Sequence, residues 1–237
     1  MAAPDADRPI LLVALGGNAL IRKGRTGTVA DQLETLRAPM RQIARLSKHY
    51  RIIITHGNGP QVGNLLLQQE SCPEVPPLPL EILVAQTQGQ IGYMIESTLD
   101  SELMALEIAY RPLVSLISYV VVDPGDPAFD RPEKPIGPVL SEAAARTAPY
   151  PTVRTARGFR RVVASPRPRT IVEKREIRSL IESDFIVICC GGGGIPVVRE
   201  GRAFSGVEEV IDKDLASESL AFVFGVDFFM IATDEAG

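Results

Sequence analysis

Reactive and metal-binding residue types are scarce in this 237-residue chain, which has two histidines, His49 and His56, and three cysteines, Cys72, Cys189 and Cys190. With so few imidazoles a histidine-based triad has few ways to form, and no Gly-x-Ser-x-Gly elbow is present. No grouping of His, Cys, Asp and Glu has metal-site spacing. Cys189 and Cys190 are adjacent in an apolar run, where a free thiol packs as a small hydrophobe, and an odd count is poor material for a disulfide framework. Neither the P-loop pattern nor G-x-G-x-x-G occurs, which weakens a dinucleotide reading. No apolar run approaches the ~20 residues of a membrane span, and the first residues, MAAPDADRP, carry acids where a signal peptide carries bases. The expected location is cytoplasmic. The net charge of −4 argues against a general binder of nucleic acid or anionic membrane.

What the chain does have is glycine placed directly after apolar runs. Pro9 to Leu15 ends in Gly16-Gly17-Asn18, Arg51 to Thr55 ends in His56-Gly57-Asn58-Gly59-Pro60, and Phe185 to Cys190 ends in four glycines, Gly191 to Gly194. A buried strand that ends in glycine lets a ligand approach the backbone closely, because no Cβ is in the way. The last of the three also reads as a hairpin, with Val197-Val198 and Ala203-Phe204 flanking Arg199 to Arg202. The set of three is the stronger signal. Parallel sheets collect ligands at the carboxyl ends of their strands, so three such turns can converge on one crevice.

Taken in order, the chain alternates strand and helix. Thr28 and Asp31 stand at capping spacing before an apolar face of Leu33, Leu36, Met40 and Ile43, in which Pro39 predicts a kink. Pro60 suits the first turn of a helix through Glu70, whose positive end then faces the Gly57-Asn58-Gly59 turn. Four prolines between Ser71 and Pro79 predict a loop. Gln86 to Gln90, ahead of a helical pattern through Ile91, Ile95 and Leu99, either binds a polar substrate or faces solvent. Pro112 to Asp123 reads as one long strand, completing the alternation of a parallel, doubly wound sheet. Residues 124–168 carry nine prolines and read as an insertion. Within it, 152–170 holds six arginines and no acid, which makes either a solvated face or a lid over a charged substrate. A helix over 172–182, the strand before the four glycines, a helix closed by Gly225 and a last strand, Asp227 to Ala232, follow.

Lys134, between Pro132 and Pro135, and Lys213, in Asp212-Lys213-Asp214, are the lysines beside these features. Glycine turns, a helix N-terminus and a pair of lysines suit phosphoryl transfer, in which the protein positions two reactants and neutralises the migrating group. His56, next to a glycine turn, reads as a structural hydrogen-bonding residue or a functional one.

The segments LVALGGNAL (12–20), THGNGPQVGNLLLQQE (55–70), TQGQIGYMI (87–95), VVVDPGDPAF (120–129), KPIGPVLSE (134–142), GFRRVVASPRP (158–168), CCGGGGIPVV (189–198) and EEVIDKDLASE (208–218) resemble the carbamate kinases of the amino acid kinase superfamily. They cover nearly the whole chain in that family's order. Other amino acid kinases carry a lysine before the first glycine turn; here that place is Ala14-Leu15, and carbamate kinases supply the cation from KPIGP.

The resemblance implies a three-layer α/β/α sandwich with a mainly parallel central sheet. It implies reversible transfer of phosphoryl between ATP and carbamate, run mostly toward ATP in fermentative arginine catabolism, with Mg²⁺ carried by the nucleotide, in a homodimer formed by helices of the first half. Residues 1–123 would bind carbamoyl phosphate, 124–170 would form a protruding subdomain or lid, and 171–237 would begin the nucleotide lobe. Gly16, Gly17, Asn18, Gly57, Asn58 and Gly59, with Gly192 and Gly193, would hold the substrate. Lys134 and Lys213 would flank the migrating phosphoryl, Asp214 would orient them, and Lys213, Thr233 and Asp234 would meet the nucleotide. Family members continue past Thr233-Asp234 by some tens of residues, including a Pro-Lys segment that approaches the nucleotide phosphates. The expectation is therefore a complete carbamoyl phosphate side and weak ADP binding. The alternatives are a non-catalytic or impaired homologue that binds carbamoyl phosphate or another anion, and a related acyl-phosphate-forming kinase.

Overall fold

The structure, a computed structural model, describes residues 8–16, 20–21, 27–109, 111–156 and 158–232. Among them, five parallel strands form the central sheet in the order β12 (Phe228–Ala232), β1 (Ile10–Leu15), β2 (Arg51–His56), β9 (Ile186–Ile188), β3 (Leu113–Ser115). Uninterrupted apolar sequence is what a strand covered on both faces needs, and β1 shows why. Leu11, Val13 and Leu15 point into a core with α1 (Val29–Leu46) and α3 (Leu80–Ala105). Leu12, on the other face, packs in a core with α5 (Lys174–Glu182) and α6 (Lys213–Phe224). The result is helix, sheet, helix. Cys189 and Cys190 lie in the second core as buried free thiols.

Local signals place most helix ends. Thr28 caps α1, its hydroxyl accepting from the Asp31 amide at 3.2 Å. Helix α2 (Gly59–Glu70) starts with proline in its first turn, and Gly225 closes α6 in the left-handed conformation, φ 58°. Helix α1 carries Pro39, the expected kink position, within its span.

Two expectations are corrected. The run from Pro112 to Asp123 divides into β3 and β4 (Tyr119–Val122), which belong to different sheets. Ser118 is buried at the division: its carbonyl accepts from the Ile195 amide at 2.8 Å and its own amide donates to Gln88 Oε1 at 2.9 Å. Those bonds turn the chain where hydropathy shows no break. Second, Gln86 to Gln90 does not precede a helix but lies in the middle of the 26-residue α3.

The second sheet, β11 (Ala203–Gly206), β10 (Ile195–Glu200), β4, β8 (Pro168–Ile171), contains the expected hairpin as β10 and β11. So the four glycines follow one strand, β9, and lead into the first strand of the hairpin. The third sheet, β5 (Lys134–Leu140), β7 (Gly158–Val163), β6 (Thr152–Thr155), is antiparallel and lies within the proline-rich stretch, with α4 (Glu142–Thr147) between β5 and β6. Two arginines of β7 are tied down: Arg160 donates to the Gly137 carbonyl at 2.7 Å, and Arg161 pairs with Glu70 of α2 at 2.8 Å and stacks over Tyr150. Arg169, on β8, pairs with Asp123. Among the described residues no helix is long and apolar enough to cross a membrane.

Candidate active site

The carboxyl ends of β1, β2 and β9 are neighbours in the central sheet, so the three glycine turns meet by topology. The Gly57 amide donates to the Leu15 carbonyl at 3.1 Å, and the Gly16 amide to the Ala232 carbonyl at 2.9 Å. Gly192, with φ 64°, sits against Asn58: a Cβ there would lie 2.3 Å from Asn58 Nδ2, so only glycine fits. A Cβ on Gly193, with φ 87°, would lie 2.5 Å from the Ile211 carbonyl oxygen, at the approach to α6. The amides of Gly16, Gly57 and Gly193 are thus engaged with backbone carbonyls. What stays open is the start of α2, because Asn58 makes no side-chain cap to it. Gly17, Asn18, Thr233 and Asp234, also singled out from sequence, lie outside the described residues.

Behind the turns is a buried polar frame that sequence reasoning missed. Asn58 donates to Thr87 at 2.9 Å; Gln88 donates to the Gly191 carbonyl at 3.0 Å and the Ser118 carbonyl at 3.2 Å; Ser118 Oγ accepts from the Cys190 amide at 3.1 Å. Thr87 and Gln88 are buried, so they serve the glycine turns and face no solvent. The visible signal was a polar Gln-Thr-Gln interruption in an otherwise apolar helix face. His56 is buried too, its Nδ1 3.1 Å from its own residue's neighbouring carbonyl, Gly57 O. Burial pushes its pKa down to about 4, the Gly57 hydrogen bond opposing, so the ring is neutral at pH 7.

The two lysines come from a strand and a helix and are held by carboxylates two residues apart, Asp212 and Asp214. Lys213 is in the first turn of α6 and pairs with Asp214 at 2.5 Å. Lys134 opens β5 and pairs with Asp212, the N-cap of α6. The task expected of Asp214 is thus divided between Asp214 and Asp212. Helix α6 is joined to the strand ends through Thr55 Oγ1, 2.7 Å from Ser217 Oγ, and Ser217 donates to the Lys213 carbonyl at 2.7 Å. Strand β5 is joined to α2, where a Cβ on Gly59 would come within 3.7 Å of the Pro135 carbonyl. Lys134, at the start of β5, therefore lies near the uncapped start of α2, and Lys213 lies on the helix tied to the end of β2, each paired with a carboxylate.

A parallel α/β sheet with lysines and a helix N-terminus near its strand ends has the chemistry that suits a phosphorylated ligand. The chain belongs to the amino acid kinase family, whose model matches residues 9–237. Among curated relatives, it is 45% identical to the carbamate kinase of Thermococcus kodakarensis over 237 residues, 96% of this chain and 75% of that one. To the carbamate kinase of Escherichia coli K12 it is 43% identical over 228 residues, 94% of this chain and 74% of that one. Among solved structures, it superposes on carbamate kinase from Giardia lamblia bound to citric acid with a TM-score of 0.92 at 38% identity, covering 97% of this chain and 76% of the other. The same enzyme bound to AMP-PNP gives a TM-score of 0.84 at 37% identity, with 97% and 75% covered. The chain spans about three quarters of the length of these relatives.

Proposed function

We propose that this chain is a carbamate kinase, transferring phosphoryl reversibly between ATP and carbamate, with ATP formation from ADP and carbamoyl phosphate as the main direction. The observation that carries the reading is the pair of lysine–carboxylate contacts, Lys134 with Asp212 and Lys213 with Asp214, beside the open end of α2. In transfer toward ATP, the P–O bond to the carbamoyl oxygen breaks and one to the terminal phosphate of ADP forms. Charge on the migrating group's oxygens is what the protein must hold. Lys134 and Lys213 bracket that charge, Asp214 fixes Lys213, and the amides at the start of α2 add the helix's partial positive end. Gly16, Gly17, Asn18, Gly57, Asn58, Gly59, Gly192 and Gly193 shape the carbamoyl phosphate pocket, and the lack of side-chain bulk at its glycines sets the close approach. Lys213, Thr233 and Asp234 meet the nucleotide, which brings Mg²⁺ with it. The same reading includes a homodimer and a cytoplasmic location.

The test is ATP formed from ADP and carbamoyl phosphate by the parent and by Lys213→Ala. Removing one cation from a preorganised site costs about 3 kcal/mol of transition-state stabilisation, on the order of a hundredfold in rate. Activity of the variant within twofold of the parent would sink the assignment. An inert carbamoyl phosphate with turnover of another acyl phosphate would instead indicate a sister kinase.

A further inference from the structure

Asp212 does two things at once. Its Oδ1 accepts from the Asp214 amide at 2.8 Å, capping α6, and its Oδ2 receives Lys134 Nζ. The cap fixes the carboxylate relative to the helix, so the second oxygen is a fixed point offered to the lysine. Lys134 belongs to the three-stranded sheet and Asp212 to the helix layer of the central sheet, so the contact spans the two bodies that flank the site. Burial pushes the Asp212 carboxyl up, but the Lys134 hydrogen bond and charge, the Asp214 amide and the charge of Lys213 outweigh it and hold the group below the usual carboxylate range. It is an anion at neutral pH.

Resting on the phosphoryl-transfer reading above, we propose that Asp212 is a positioning residue: it clamps Lys134 to the start of α6 and offsets that lysine's charge while the site holds no transferring phosphoryl group. Two consequences of opposite sign follow. A carboxylate beside an anion site repels a bound anion, so its loss tightens ground-state binding. The same loss frees Lys134 to move, so the transition state is held less well. A helix cap with no other role produces neither effect.

Asp212→Asn separates them, because asparagine caps a helix about as well as aspartate and matches its shape. The expected result is a kcat lower by roughly tenfold or more with KM for carbamoyl phosphate unchanged or lower, since an interaction made mainly in the transition state is lost. In a Lys134→Ala background the added substitution should change kcat little, because the two act as a unit. Calorimetry with sulfate should show tighter binding by Asp212→Asn than by the parent. A kcat within twofold of the parent, a kcat loss undiminished by Lys134→Ala, or sulfate binding that fails to tighten overturns the proposal. If the asparagine variant folds poorly, Asp212→Ser supplies a second capping residue without the charge. A parent that forms no ATP removes the proposed function, and the sulfate arm then decides the role of Asp212 by itself.

Discussion

At the scale of single residues, His56 has the clearest pH signature. Its Nε2 faces Gly191, where a Cβ would lie 2.3 Å away, and the side chain is enclosed. A histidine with a pKa of about 4 when folded and 6.5 when unfolded takes up its proton in the unfolded chain first. Its contribution is therefore full above pH 6.5 and is lost as pH falls toward 4. The difference corresponds to about 3 kcal/mol. Urea titrations at pH 7, 5.5 and 4 should show the parent losing that much relative to His56→Gln, which cannot titrate. Parallel pH profiles for the two proteins would show that burial of the imidazole is not what sets the dependence. Sequence left His56 open between a structural and a catalytic role. Its enclosure and low pKa favour the structural one.

At the scale of elements, the contact that sets the site is between α2 and β5. A Cβ on Gly63 would lie 1.9 Å from the Gly137 Cα, so the helix and strand backbones touch directly, and Gly137 itself has φ 71°. Backbone atoms cannot swing aside as a side chain can. Gly63→Ala must push β5 off α2, which displaces Lys134 at the strand's start and opens the Arg161–Glu70 pair. Overpacking of this kind costs roughly 1–3 kcal/mol. The expected outcome is a lower thermal midpoint together with faster tryptic cleavage within 134–163, whose arginines are then exposed. An alanine variant with unchanged midpoint and cleavage would mean the third sheet is held by other contacts. The sequence pattern placed α2 within a residue, through Pro60, yet it offered no hint that Gly63 meets Gly137, because the partners are 74 positions apart and neither lies in a turn motif.

At the scale of the whole molecule, α3 presents Ile82, Tyr93 and Met104 to solvent, at 42%, 69% and 65% exposure. Spaced by eleven residues, three turns of helix, they fall along one side. Gly89, also exposed, lies between them and permits close approach of another backbone. A second copy crossing this face with the twofold axis at Tyr93, the middle of the three, would give the homodimer included in the proposed function, the same patch facing itself and Tyr93 meeting its own counterpart. Light scattering at micromolar concentration should give about twice 25.7 kDa for the parent. Tyr93→Glu, which sets like charges face to face, should give the monomer mass. A monomeric parent, or a dimeric glutamate variant, would remove α3 from the interface.

Sequence alone determined the fold class, because a strand buried on both faces needs continuous apolar residues and its helices need a 3.6-residue period, and both are one-dimensional signals. It also determined the glycine turns, the caps at Thr28 and Gly225, and the candidacy of Lys134 and Lys213. Tertiary structure decided what those residues meet. The division of Pro112 to Asp123 between two sheets depends on bonds from Ser118 to Gln88 and Ile195, partners 30 and 77 positions away. Thr87 and Gln88 could be read as solvent-facing because a polar residue on a helix carries no mark of what lies opposite. Asp212 was visible as a neighbour of Lys213, but its contact with Lys134 spans 78 residues. Local chemistry fixes which groups are present and how each short stretch folds; which carboxylate holds which lysine is settled only when the sheets pack.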